Sequence, residues 1–182
     1  NDVRAALRVI SGAHPRDAWS VDAAPPPPMP AAMRVAVVAE PPGGRTDPAV
    51  AAVVRRSADA LAMAGYEVVE LTPPRYEEAV AAWARLLIGD FGSVLPKLLP
   101  LMGDDARGFL AAANAAVPGF DTATALSELM VVRDGIARAW ARFLADAPLV
   151  LSPTWTQLPF EVGFDVASPA ATAATMEMMR PV

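Results

Sequence analysis

The sequence predicts an α/β fold in which a sheet is flanked by helices. Three observations predict it. A strand-helix-strand unit occupies about residues 33–71, a mainly helical stretch covers about 75–146, and the apolar run Pro148-Leu149-Val150-Leu151 then returns the chain to a sheet. At 182 residues the chain is long enough to bury a sizeable core without disulfides or a structural metal.

Taken in order, Val3, Ala6, Leu7 and Ile10 fall at helical spacing, with Asn1 or Asp2 as the cap and Gly12 as a left-handed stop. "AHPRDAWSVDAAPPPPMP" follows as an irregular connector, and Pro25 to Pro28 favour polyproline II. "MRVAVVAE" reads as a buried strand and "PPGGRT" as a loop. Asp47 caps a helix that has Pro48 at its first position and Val50, Val53, Val54, Ala58, Leu61 and Ala62 on one face. Gly65 ends this helix and "YEVVEL" is the second strand. Loops this short make the two strands parallel.

"YEEAVAAWARLLIGDF" is helical, with Ala79, Ala82, Trp83, Leu86 and Leu87 on one side, and Pro96 and Pro100 break the pattern. A short helix spans about Asp104 to Ala116. A long one starts at the Asp121-Thr122 cap and carries Leu126, Leu129, Val132, Ile136, Trp140 and Phe143. At about 1.5 Å per residue it runs about 35 Å, the width of a domain. After the strand "PLVLS", a last helix is capped by Ser168 and halted by Pro181. The opening without methionine and the closing helix read as cut ends, so residues 1–182 are expected to form a single partial domain, truncated at both ends.

Composition excludes several classes of function. With no cysteine, a disulfide framework, a thiolate zinc site and a cysteine nucleophile are all ruled out. A net charge of -5, with Arg55-Arg56, Arg138 and Arg142 interspersed among acids, provides no basic stripe for nucleic acid. Although 54% of residues are apolar, no run approaches the ~20 uninterrupted apolar residues of a membrane span, and no signal segment opens the chain. A cytoplasmic protein with no metal and no cofactor is expected.

The chemistry-bearing residues are few. His14, the only histidine, sits in the Pro-flanked loop "SGAHPRD" and reads as a solvated loop residue, since nothing nearby resembles a nucleophile elbow. "EPPGGRTDP" lacks phosphate-loop spacing, so Gly43-Gly44 is a tight turn. Glu77-Glu78 and Asp104-Asp105 lie in first helical turns, where the macrodipole favours negative charge. Trp83 and Trp140 match the apolar faces of their helices. The polar cluster of "LSPTWTQLPF" stands apart: it follows directly on a strand end, where α/β enzymes keep their sites.

Several segments together resemble the amidase signature family. "DVRAALRVISGAHPRD" is similar to the helix and loop that follow that family's catalytic Gly- and Ser-rich region. Residues 33–74, "MRVAVVAEPPGGRTDPAVAAVVRRSADALAMAGYEVVELTPP", are similar to its strand-helix-strand with a helix ending in Ala-Gly. "LVLSPTWTQLPF" resembles its strand ending in Pro-Thr, here Pro153-Thr154. The resemblance implies a mixed sheet flanked by helices and amide hydrolysis by a Ser-cisSer-Lys triad through an acyl-serine. No catalytic residue is assigned here: the family's Gly-Gly-Ser-Ser-Gly-Gly type segment is missing, and Lys97, between leucines, lies in the wrong context. The resemblance implies that residues 75–146 shape the acyl or leaving-group side of a pocket. The expected substrate-binding residues are Thr154, Trp155, Thr156 and Gln157, then Trp83 and Leu87. Expected partners are a small-molecule amide, the remaining N-terminal half of an amidase, and a second copy as a homodimer. The alternative is a non-catalytic α/β module that binds a ligand or partner at its strand ends.

Overall fold

In a computed structural model the chain divides into two compact units, Asn1–Pro30 and Ala31–Val182. The residues described are 2–22, 33–117 and 119–179. The Pro25–Pro28 run, the Asn1 cap and Pro181 lie outside them.

In the first unit, helix α1 (Asp2–Ile10) ends before Gly12, whose φ of 116° no L side chain adopts easily. A turn follows. The Ser20 hydroxyl accepts from the His14 amide at 2.7 Å and donates to the Asp17 carbonyl at 2.8 Å, while His14 Nδ1 accepts from the Arg16 amide. His14 is exposed and serves the turn.

The second unit is built on three strands, β1 (Arg34–Val37), β2 (Glu67–Glu70) and β3 (Leu149–Leu151), in the order β2-β1-β3. All three are parallel, with Val35 opposite Val68 on one side and Leu149 on the other. The flanked sheet is as the sequence predicts. No antiparallel strand occurs among the described residues, because each successive strand is reached through helices rather than a hairpin. β1 is central, so Val35, Ala36, Val37 and Val38 are buried on both faces.

Helix α2 (Pro48–Met63) is entered as its sequence dictates: the Asp47 carboxylate accepts from the Ala49 amide at 2.8 Å and Pro48 occupies the first turn. Its buried stripe is Ala51, Val54 and Ala58, which pack on Val35, Val37 and Ala39. Val53, expected on that face, is half exposed, because it lies about 200° around the helix from Ala51. Gly65, at φ 95°, turns the chain into β2.

Helix α3 (Tyr76–Leu98) does not stop before Pro96. It bends instead: the segments Tyr76–Gly92 and Val94–Leu101 meet at 51°, one turn before the proline whose missing N–H leaves the Gly92 carbonyl without its helical donor. No single described helix is long and apolar enough to cross a membrane. The two segments of this bent pair reach that length and apolarity only when taken together. Helix α4 (Asp104–Ala116) and helix α5 (Ala123–Asp146) follow, with the Thr122 hydroxyl accepting from the Ala125 amide at the start of α5. α3 packs on α5, and α4 on the last helix, α6 (Pro169–Met179). Arg34 on β1 ion-pairs with Glu67 on β2 at 3.3 Å and with Asp146 at the end of α5, tying the three elements together at one end of the sheet.

Candidate active site

At the opposite, C-terminal end of the parallel sheet the chain leaves every strand through a proline: Pro41 after β1, Pro73 after β2 and Pro153 after β3, all buried. A proline brings no amide N–H that burial would leave unpaired, so these exits can be packed tightly against the sheet. The pairing of β1 and β3 runs one step past the strands, from the Val38 amide to the Leu151 carbonyl at 2.9 Å. The two exit loops therefore lie side by side. This is the crevice where parallel sheets receive ligands.

Ser152, Pro153, Thr154 and Trp155 from the β3 exit meet Tyr76 and Trp83 of α3 and Met179 of α6 around a cleft of about 460 Å³. A second cleft of about 220 Å³ continues along α3, lined by Tyr76, Ala79, Val80, Trp83 and, from α5, Trp140. Tyr76 and Trp83 are common to both. The Tyr76 and Trp140 rings stack at 6.1 Å between centroids, and Trp140 Nε1 is buried with no hydrogen-bond partner. Burial raises the Tyr76 phenol above its ordinary pKa, so it remains a neutral hydroxyl through the physiological range. On the other side, Trp155 leans on Phe160 at 6.1 Å and Phe160 on Phe164 at 5.4 Å, a row of rings that braces the indole.

The six expected residues divide. Thr154, Trp155 and Trp83 come together in the cleft, with Thr154 exposed, Trp155 partly buried and Trp83 half exposed. Thr156 does not line it. It is fully buried, donates its hydroxyl to the Met178 carbonyl at 3.1 Å and accepts at its own carbonyl from the Asp47 amide at 2.7 Å. Gln157 donates its side-chain amide to the Arg45 carbonyl. Together these two residues fasten the β3 exit to the β1–α2 loop and to the end of α6, and so hold Trp155 in place from behind. Leu87, one turn beyond Trp83, lines neither cleft. Tyr76 and Met179 were not among the expected residues. Tyr76 was legible as the residue seven before Trp83 and three before Ala79, hence on the same helical face.

Carboxylates near the strand ends are already engaged. Arg55 on α2 pairs with Glu40 at 2.6 Å and Glu70 at 3.6 Å. At the start of α3, Arg75, in the left-handed region at φ 57°, pairs with Glu78 through both oxygens, which holds the Glu78 carboxyl below its usual range. Asp104 pairs with Arg107 at 3.7 Å within α4. Lys97 lies in the last turn of α3 and lines neither cleft. Among the described residues no group of three or more His, Asp or Glu side chains could hold a metal ion. A larger cavity, about 920 Å³, lies elsewhere, between Gly89 and Gly92 of α3 and the Gly119–Leu126 stretch leading into α5, and no strand residue lines it.

A family model described as Amidase matches residues 1–182. The chain belongs to the amidase family. Among curated proteins it is similar to an indoleacetamide hydrolase of Bradyrhizobium diazoefficiens, 34% identical over 155 residues, covering 84% of this chain and 29% of that protein. It is also similar to an indoleacetamide hydrolase of Bradyrhizobium japonicum, 31% identical over 160 residues, covering 84% of this chain and 33% of the relative. The chain thus spans about a third of the length of these amidase-family relatives. Among solved structures a fatty acid amide hydrolase superposes with a TM-score of 0.60 at 18% identity, over 81% of this chain and 26% of that one, which shows a shared fold.

Proposed function

We propose that the protein is an amide hydrolase and that residues 1–182 supply the acyl side of its substrate pocket. The observation that carries this is the meeting of Thr154 and Trp155, at the end of β3, with Tyr76 and Trp83 on α3 around one cleft. The cleft is predominantly apolar, with the Ser152 and Thr154 hydroxyls at the strand end, the pattern of a small-molecule site in which a few polar groups set orientation. An amide placed there directs its carbonyl toward the strand end and its acyl group toward the aromatic rings. The two relatives named for indoleacetamide have an aryl acyl group in that name, and a wall of Tyr76, Trp83 and Trp155 suits a flat ring, each aromatic pair contributing about 0.5–1.5 kcal/mol beyond simple burial.

The chemistry expected of the family proceeds in two steps. A serine oxygen bonds to the acyl carbon as the C–N bond breaks, and the leaving nitrogen takes a proton. Water then cleaves the resulting ester and restores the serine. Neither that serine nor its lysine base is assigned to residues 1–182, whose part is binding and orientation. The test is to incubate the intact protein with indole-3-acetamide and phenylacetamide, measure ammonia, and trap the acyl-enzyme with hydroxylamine. Ammonia release with hydroxamate formation is expected. Neither product from any amide across a wide acyl range would overturn the proposal.

A further inference from the structure

The two aromatic clefts are adjacent and differ in kind. The outer one, about 460 Å³, contains the Ser152 and Thr154 hydroxyls at the strand end, whereas the inner one, about 220 Å³, is a groove lined only by residues of α3 and by Trp140 of α5. An apolar cavity of about 150 Å³ is already enough to take up benzene, so the inner cleft has room for a ring. That room exists because Ala79, on the same face of α3 as Tyr76 and Trp83, carries only a methyl group. Tyr76 is held in place by its stacking on Trp140. Trp83 is not locked in the same way: its side chain is 50% exposed on a helix whose neighbouring Ala82 is buried, and it stands between the two clefts.

We propose that Trp83 is a specificity-determining residue, an indole partition that closes the inner cleft to the substrate's acyl group and so sets the largest acyl group the site accepts. This rests on the amidase reading above. With the partition in place, an acyl group occupies the outer cleft and packs on the edges of Trp83 and Trp155. With the ring removed, the clefts merge and a longer aryl acyl chain reaches Tyr76, Ala79 and Trp140.

The experiment compares kcat/KM of the intact protein for acetamide, phenylacetamide, indole-3-acetamide and 4-phenylbutyramide. In Trp83→Ala the ratio of 4-phenylbutyramide to phenylacetamide rises by about tenfold or more, mostly through KM, the scale on which pocket volume discriminates. Trp83→Phe moves the ratio less, in the same direction. Adding Ala79→Leu to Trp83→Ala refills the inner cleft and brings the ratio back. Turnover with a ratio within twofold of wild type in both Trp83 variants overturns the partition and leaves the amidase reading standing. No turnover of any amide by the wild-type protein overturns the amidase reading itself. Should Trp83→Ala not fold, Trp83→Phe decides the question alone: a ratio shifted toward the longer amide supports the partition, and an unshifted ratio overturns it.

Discussion

Thr156→Val replaces a hydroxyl by a methyl of nearly the same shape at a fully buried position, so it isolates one hydrogen bond. The acceptor is the Met178 carbonyl in the last turn of α6, where helix carbonyls lack a full set of intrahelical donors. Losing the donor strips this part-buried carbonyl of the Thr156 hydrogen bond, which costs about 1–3 kcal/mol. Removing the buried hydroxyl returns part of its own desolvation, so a net loss of about 1–2 kcal/mol is expected. Thr156→Ser keeps the donor and loses one methyl, about 0.8 kcal/mol. Urea unfolding followed by far-ultraviolet circular dichroism therefore ranks wild type above the serine variant and the serine variant above the valine variant. If Thr156→Val lies within about 0.5 kcal/mol of wild type, or above Thr156→Ser, the hydrogen bond does not hold the β3 exit and the reasoning fails.

Gly89→Ala and Gly108→Ala should move stability in opposite directions, although both glycines lie within helices. A Cβ on Gly89 meets the Phe120 ring at 2.2 Å and costs about 1–3 kcal/mol, whereas one on Gly108 meets nothing within 4 Å and gains up to about 1 kcal/mol in helix propensity; thermal melts separate them. Tyr76→Phe should flatten the alkaline loss of stability. The Tyr76 phenol titrates higher folded than unfolded, so its contribution is complete below about pH 10 and falls as pH rises through the folded value; urea midpoints between about pH 8 and pH 11 show whether the variant lacks this slope. Trp155→Ala in the intact protein should change substrate preference more than stability, lowering kcat/KM for indole-3-acetamide relative to acetamide by about tenfold; unchanged kinetics toward both would sink this assignment.

Local signals were readable because their physics is local. The Asp47 cap, Pro48, the Gly65 stop and the Thr122 cap each involve residues within a few positions of one another, and each stands where the sequence puts it. The strand-end location of "SPTW" was readable for the same reason: an apolar run ends and a proline follows. What each hydroxyl and amide does there was not. Thr156 is satisfied by Met178, 22 residues further on, and Gln157 by Arg45, 112 residues back, and no periodicity encodes either pairing. Pro96 was readable as a disturbance but not as a bend rather than an end, since the helix runs on past it to Leu98. Trp83 matched an apolar stripe and so resembled a core residue. Its half-exposed position follows from Ala79 and Trp140 leaving a hollow beside it, a property of three elements at once.

The central claim is that the cleft at the end of β3 receives the acyl group. Photolabelling tests it most directly, with an aryl acetamide carrying a diazirine on the ring, applied to the intact protein and followed by peptide mapping. Labels concentrated in residues 76–85 and 152–160, and competed away by unlabelled indole-3-acetamide, are the predicted result. Labels confined to the stretch around Phe120–Leu126 at the larger cavity, or spread without competition, would contradict it.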